Sequence, residues 1–152
     1  MDSFAAALNQ ILVEAYHNIL RLEEQALKNT HGIRLSIREM HLIECVGESP
    51  AGGLSVGELA ARLGVSRPSA TVAVNKLVRL GCLEKTACES DGRVVRLFLT
   101  REGERIDAAH RYYHRLMVRA VSEGFTEAER RCLLTAMGKL NGFFKKSIGE
   151  QA

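Results

Sequence analysis

The sequence predicts a mainly α-helical chain carrying one small β-hairpin, and three observations lead there. Ser36 with Glu39, Ser55 with Glu58 and Thr126 with Glu129 stand three residues apart. At that spacing the hydroxyl covers a free backbone amide at a helix start and the carboxylate reaches back to the capping residue. Apolar residues recur at intervals of three and four along the flanking segments, the period of an amphipathic helix. Two short alternating runs, residues 83–88 and 94–100, enclose a glycine-containing turn, which is hairpin patterning.

Phe4, Leu8, Ile11, Leu12, Ala15, Ile19 and Leu20 define a first helix that is expected to end between Asn29 and Gly32. A second helix is predicted from Ile37 to Val46, stopping in the loop-forming stretch 47–53, which contains three glycines and a proline. A third, Val56 to Leu63, is short, and Gly64-Val65-Ser66 leads at once into a fourth. This is helix-turn-helix spacing. Ser66 is a good N-cap, Pro68 falls in the first turn where a missing amide costs nothing, and Gly81 stands where the helix would stop, so the fourth helix is placed at Arg67 to Leu80. Ala70, Val74 and Leu77 form its apolar stripe. Arg67, Thr71, Asn75 and Arg79 repeat every four residues on the other side, flanked by Ser69, Val72 and Lys76, and that face holds no carboxylate.

Such a face suits a DNA major groove, where basic and amide side chains meet phosphates and base edges. By itself it is equally consistent with an ordinary solvated helix. The hairpin that follows favours the first reading, since two helices and a hairpin in this order make a winged helix. Its turn, Glu89-Ser90-Asp91-Gly92-Arg93, would put Arg93 at the wing tip, within reach of a minor groove, with Asp91 beside it and Arg96 on the returning strand. Thr100 can cap a long fifth helix running to about Ser122. A last helix carries Leu133, Leu134, Met137, Leu140, Phe143, Phe144 and Ile148.

With 152 residues, the chain can bury one good core but hardly two. We therefore expect a single domain over 1–152, with a winged-helix head at 33–100 and further helices at 1–32 and 101–152. Between Ser55 and Thr100, seven basic side chains stand against four acidic ones, which accounts for the whole net charge of +3. A basic excess confined to one segment is what a phosphate-binding surface needs. Cys45, Cys82, Cys88 and Cys132 show no CxxC spacing, and the start Met1-Asp2-Ser3 lacks a signal peptide's basic flank. The expectation is a cytosolic protein with reduced thiols and no membrane partner. No paired carboxylates, nucleophile with its base, or phosphate loop has supporting spacing, so no enzymatic activity and no required cofactor are expected.

Ser55-Val56-Gly57-Glu58-Leu59-Ala60, Val65-Ser66-Arg67-Pro68, Leu77 to Leu83, Asp91-Gly92-Arg93 and Leu99-Thr100 together resemble the MarR family of transcription regulators along nearly the whole chain. The resemblance implies a homodimeric repressor binding double-stranded DNA at a pseudo-palindromic operator. Arg93 would then enter the minor groove, Asp91 would hold the wing through a nearby arginine, and the helix from Ser66 would supply base and phosphate contacts. Dimerisation also follows from the apolar excess of the first and last helices, more than one small head can cover.

Three effector classes stay open. Leu22-Glu23-Glu24, the stretch Leu35 to Ile43, His110 and His114 are similar to the branch that represses fatty-acid-synthesis genes. That similarity implies an acyl ligand delivered by acyl carrier protein, with Leu35, Met40, His41, Ile43 and Leu116 as candidate pocket residues. His110 and His114, four apart on one helix face, also echo a zinc-responsive branch, with Glu23 and His41 completing the ligand set. Here, however, Met40 separates Glu39 from His41, a departure from that branch's pattern. A phenolate-type ligand is compatible with the family cleft. A thiol switch is not favoured, because the first helix has no cysteine. Outside the regulator class, the remaining alternative is a winged helix that binds protein rather than DNA. Such modules usually lose the basic face kept here.

Overall fold

In the computed structural model, which describes residues 2–28, 32–51, 53–87 and 94–149, the chain folds as six helices and one two-stranded antiparallel sheet. In order these are α1 (Ser3–Lys28), α2 (Ile37–Gly47), α3 (Val56–Leu63), α4 (Arg67–Arg79), β1 (Leu83–Ala87), β2 (Val95–Leu99), α5 (Arg101–Glu123) and α6 (Glu127–Gly149). Each lies within a residue or two of its expected place. The capping boxes at Ser36 and Ser55 are both formed, with amide-to-carboxylate distances of 2.8 and 2.7 Å.

The chain divides into two compact units, 1–111 and 112–152. The division falls inside α5. Within the first unit the reason is packing. The end of α1 buries Glu23 and Leu27, and the first three turns of α5 bury Gly103, Ile106, Asp107 and His110, so the last turns of α1 and the first of α5 are parts of the head. The core of this unit joins Met40, Ile43 and Val46 of α2 to Leu59 of α3, Val74 and Leu77 of α4, Cys82, Leu83 and Leu97. Burying aliphatic side chains of this size is worth roughly 1.5–3 kcal/mol each before entropy is subtracted.

Two backbone features hold α4 in place. Gly64 adopts the left-handed conformation, φ +63°, that ends α3 and lets the chain reverse into the Ser66 cap. The hairpin pairs Leu83 with Leu99 and Ala87 with Val95, and Leu97 adds a bridge back to Leu54 before α3. Thr100 then locks the exit: its hydroxyl donates to the Gly81 carbonyl, accepts from the Gly103 amide, and its own amide donates to Cys82 O. This explains the Leu-Thr pair physically. It ends the hairpin and caps α5 in one residue.

In the second unit, Thr126 caps α6 through a reciprocal pair with Glu129, and the Arg130 guanidinium donates to Ser122 O. None of the α6 residues is buried. Cys45 and Cys82 are buried free thiols, their pKa values raised by burial, while Cys132 is exposed. No helix among the described residues is long and apolar enough to cross a membrane.

Gly103 sits where α5 crosses the start of β1, and a Cβ there would lie 2.1 Å from the Cys82 carbonyl oxygen. Gly103→Ala should therefore destabilise the protein by about 3 kcal/mol, since the obstacle is backbone that cannot swing away. Thermal denaturation checks this; an unshifted midpoint would contradict the packing described for the α5 entry.

Candidate nucleic-acid interface

The surface that could meet DNA is built on α4. Ser66, in extended conformation, accepts from the Ser69 amide, and the two hydroxyls share a 2.8 Å hydrogen bond. Ala70, Val74 and Leu77 are fully buried, which fixes the rotation of the helix about its axis. Arg67, Ser69, Val72, Asn75 and Arg79 are consequently exposed, and Thr71 is half-buried with its hydroxyl donating to Arg67 O. Val72 keeps 70% of its surface exposed at the middle of the helix. An isopropyl group standing among arginines and hydroxyls is poorly placed for water and well placed for a thymine methyl.

Two basic residues of the expected DNA set are held by carboxylates. Lys76 Nζ lies 2.5 Å from Glu39 Oε1, and Arg96 Nη1 lies 2.6 Å from Glu58 Oε2. Both glutamates are the capping-box residues of α2 and α3. Burial alone would raise the Glu39 pKa, but Lys76 and the Ser36 amide hold it below the ordinary carboxylate range. Lys76 and Arg96 thus serve the head's internal geometry as well as its surface charge. Their partners are distant in sequence, so periodicity could not reveal them. A residue the sequence reading counted only as charge, Lys85 of β1, donates to Asn75 Oδ1 at 2.6 Å. Asp91 and Arg93 lie outside the described residues.

Residues 33–94 match the MarR family profile. Streptococcus pneumoniae FabT, whose structure was solved in complex with DNA, is 30% identical and superposes with a TM-score of 0.88, covering 93% of this chain and 98% of FabT. The HTH-type transcriptional regulator BilQ of Clostridium symbiosum is 31% identical over 107 residues, 70% of this chain and 72% of BilQ. The chain belongs to the MarR family. A third relative, the uncharacterized HTH-type transcriptional regulator YhjH of Bacillus subtilis, is 27% identical over 94 residues. That match takes in 60% of this MarR-family chain and 53% of YhjH, about half the relative's length.

The head of this MarR-family chain also has a cavity of about 800 Å³ where α1 gives way to α2. Leu27, Ile33, Leu35 and Ile37 line it together with the polar residues Glu24, Arg34, Ser36 and Arg38. Of the candidate effector residues, Leu35 is on this wall, whereas Met40 and Ile43 are packed in the core and His41 stands 3.9 Å from Glu23. Leu116 belongs to the second unit, where it is exposed. Of the candidate metal ligands within the first unit, Glu23 and His110 are buried with ligand atoms no more than 4.8 Å apart, and His114 follows one turn later on α5.

Since the folded pKa of Glu39 is lowered, its stabilising contribution is present above the ordinary carboxylate pKa. It is lost as pH falls through the folded value. Glu39→Gln should cost about 1–2 kcal/mol near pH 7, through the weakened cap and lost ion pair. Urea titrations should show the difference from wild type shrinking below about pH 4. A difference that stays constant across that range would mean the carboxylate charge contributes nothing.

Proposed function

We propose that this MarR-family protein is a transcriptional repressor that binds a pseudo-palindromic operator in double-stranded DNA as a homodimer. The observation that carries the reading is the carboxylate-free face of α4, turned outward by the buried stripe behind it. Its N-terminal turn offers hydroxyls, Arg67 and the helix dipole to phosphates, and Val72 and Asn75 offer a base-edge surface further along. The DNA complex of the 30%-identical FabT supports the same assignment.

A second copy of the chain is the proposed cover for two apolar faces. In α1, Phe4, Ile11 and Ile19 are exposed; in α6, Leu134, Phe143 and Ile148 are exposed, and no residue is buried. A 23-residue helix that buries nothing would be marginal alone. Two recognition helices related by a two-fold axis would address half-sites about 10 bp apart or a multiple of it.

The proposed effector is an acyl chain, presented by acyl carrier protein, and the proposed targets are fatty-acid-synthesis genes. The cavity beside α2, with apolar walls and two arginines, Arg34 and Arg38, against one carboxylate, Glu24, supports an amphiphilic anion. Binding there would act on DNA only by favouring one spacing of the two heads. A metal switch is a second reading, favoured by the buried carboxylate and imidazole of Glu23 and His110, a donor pair suited to zinc. Native mass spectrometry separates the two. One zinc per subunit, lost in His110→Ala and His114→Ala, would establish the metal reading; a metal-free dimer that takes up an acyl ligand would establish the other.

The DNA reading is tested by selecting duplexes from a random pool and measuring affinity against salt. Arg67→Ala and Arg79→Ala should each lower affinity and reduce the slope of log affinity against log salt by about 1. Arg93→Ala should weaken operator binding by on the order of 1–3 kcal/mol. If none of the three changes either quantity, the DNA-binding surface lies elsewhere.

A further inference from the structure

The stretch from Ser55 to Thr100 holds two lysines, Lys76 on α4 and Lys85 on β1. Periodicity favours Lys76 as the DNA contact, since it belongs to the recognition helix. The side-chain contacts point the other way. Lys76 Nζ sits against Oε1 of Glu39, whose side chain keeps only 10% of its surface exposed and whose other oxygen accepts from the Ser36 amide. Moving the ammonium out to a phosphate would leave that carboxylate buried without its counter-charge, and a buried ion pair that loses one partner is costly. As a unit the pair is also neutral, so it attracts phosphate weakly.

Lys85 is placed differently. Strand alternation puts it on the same side of β1 as Leu83, which joins Val74 and Leu77 of α4 in the core cluster. Its stem therefore follows the α4 side of the hairpin, and its Nζ ends 2.6 Å from Oδ1 of Asn75, an exposed residue of the outward ladder. An ammonium has three donors, and the amide takes one of them. Asn75 keeps its NH2 group and a second lone pair on the oxygen, so the contact takes away none of its base-reading modes. Among the described residues no carboxylate pairs with Lys85. A whole positive charge with two unused donors thus stands beside the outward face of α4, and phosphate oxygens are the anions a duplex offers at the edge of its groove.

We propose that Lys85, and not Lys76, is the phosphate-binding lysine of the head, so that the DNA contact surface continues from α4 onto β1. The inference rests on α4 being the DNA-facing helix and adds a contact from a second element. Lys85 holds the duplex without reading its sequence; Lys76 holds α4 to the start of α2.

The test is the salt dependence of affinity, measured with the full-length protein on a duplex selected by wild type and on an unrelated duplex of equal length. Lys85→Met should reduce the slope of log affinity against log salt by about 1 for each half-site occupied, on both duplexes. Lys85→Arg should keep the wild-type slope. Lys76→Met should also keep it and should instead lower the thermal midpoint, whereas Lys85→Met, altered only at the surface, should melt like wild type. An unchanged slope in Lys85→Met overturns the inference, and a change confined to base preference at one position would make Lys85 a support for the Asn75 amide alone. A slope reduced equally in Lys76→Met overturns the distinction between the two lysines. If wild type binds neither duplex, the reading of α4 as the DNA-facing helix fails, and the inference with it.

Discussion

The burial of Ala70, Val74 and Leu77 is the constraint on which the rest of the head depends. These three side chains leave no accessible surface to speak of, and they are spaced so that only one rotation of α4 can seat them all. That rotation leaves Arg67, Val72, Asn75 and Arg79 no inward alternative. The outer face is presented by the stripe behind it, and a polar substitution at Val74 would disturb the surface by way of the core.

Around this helix, the same few side chains are used twice. Glu39 and Glu58 close the starts of α2 and α3, then receive Lys76 and Arg96 from α4 and β2. Thr100 ends the hairpin and begins α5. Asp107 of α5 is fully buried beside Gly47, where a Cβ would come within 2.5 Å of its carboxylate, and it pairs with Arg111. Burial raises its pKa despite that arginine. Glu39, Glu58 and Asp107 tie α4, β2 and α5 to the α2–α3 frame, and Thr100 ties the hairpin to α5, so the head is expected to move as one piece.

What could be read from the sequence was whatever is local. Caps, turns and the 3.6-residue period placed every element, because a capping box or an apolar stripe is a relation among neighbours a few residues apart. The partners of Lys76, Arg96 and Asn75 were not legible, since Glu39, Glu58 and Lys85 reach them only after the chain has folded back. The contribution of the flanking helices to the head's core was not legible for the same reason. Nothing local says that Glu23 and Leu27 at the end of α1, or Gly103 and Asp107 at the start of α5, are core residues of the head. The carboxylate-free face of α4 and the hairpin after it suggested DNA as its use, and the family resemblance strengthened that reading.

The central claim is that this outward face is what touches DNA. Hydroxyl-radical footprinting of the protein's side chains, read by mass spectrometry with and without a selected duplex, measures it directly. Val72 is aliphatic, 70% exposed and flanked by the basic ladder, while Val118 of α5, 58% exposed, serves as an internal reference. Saturating duplex should suppress oxidation of Val72 strongly and leave Val118 unchanged. A duplex that binds while Val72 oxidises at its free rate would contradict the account.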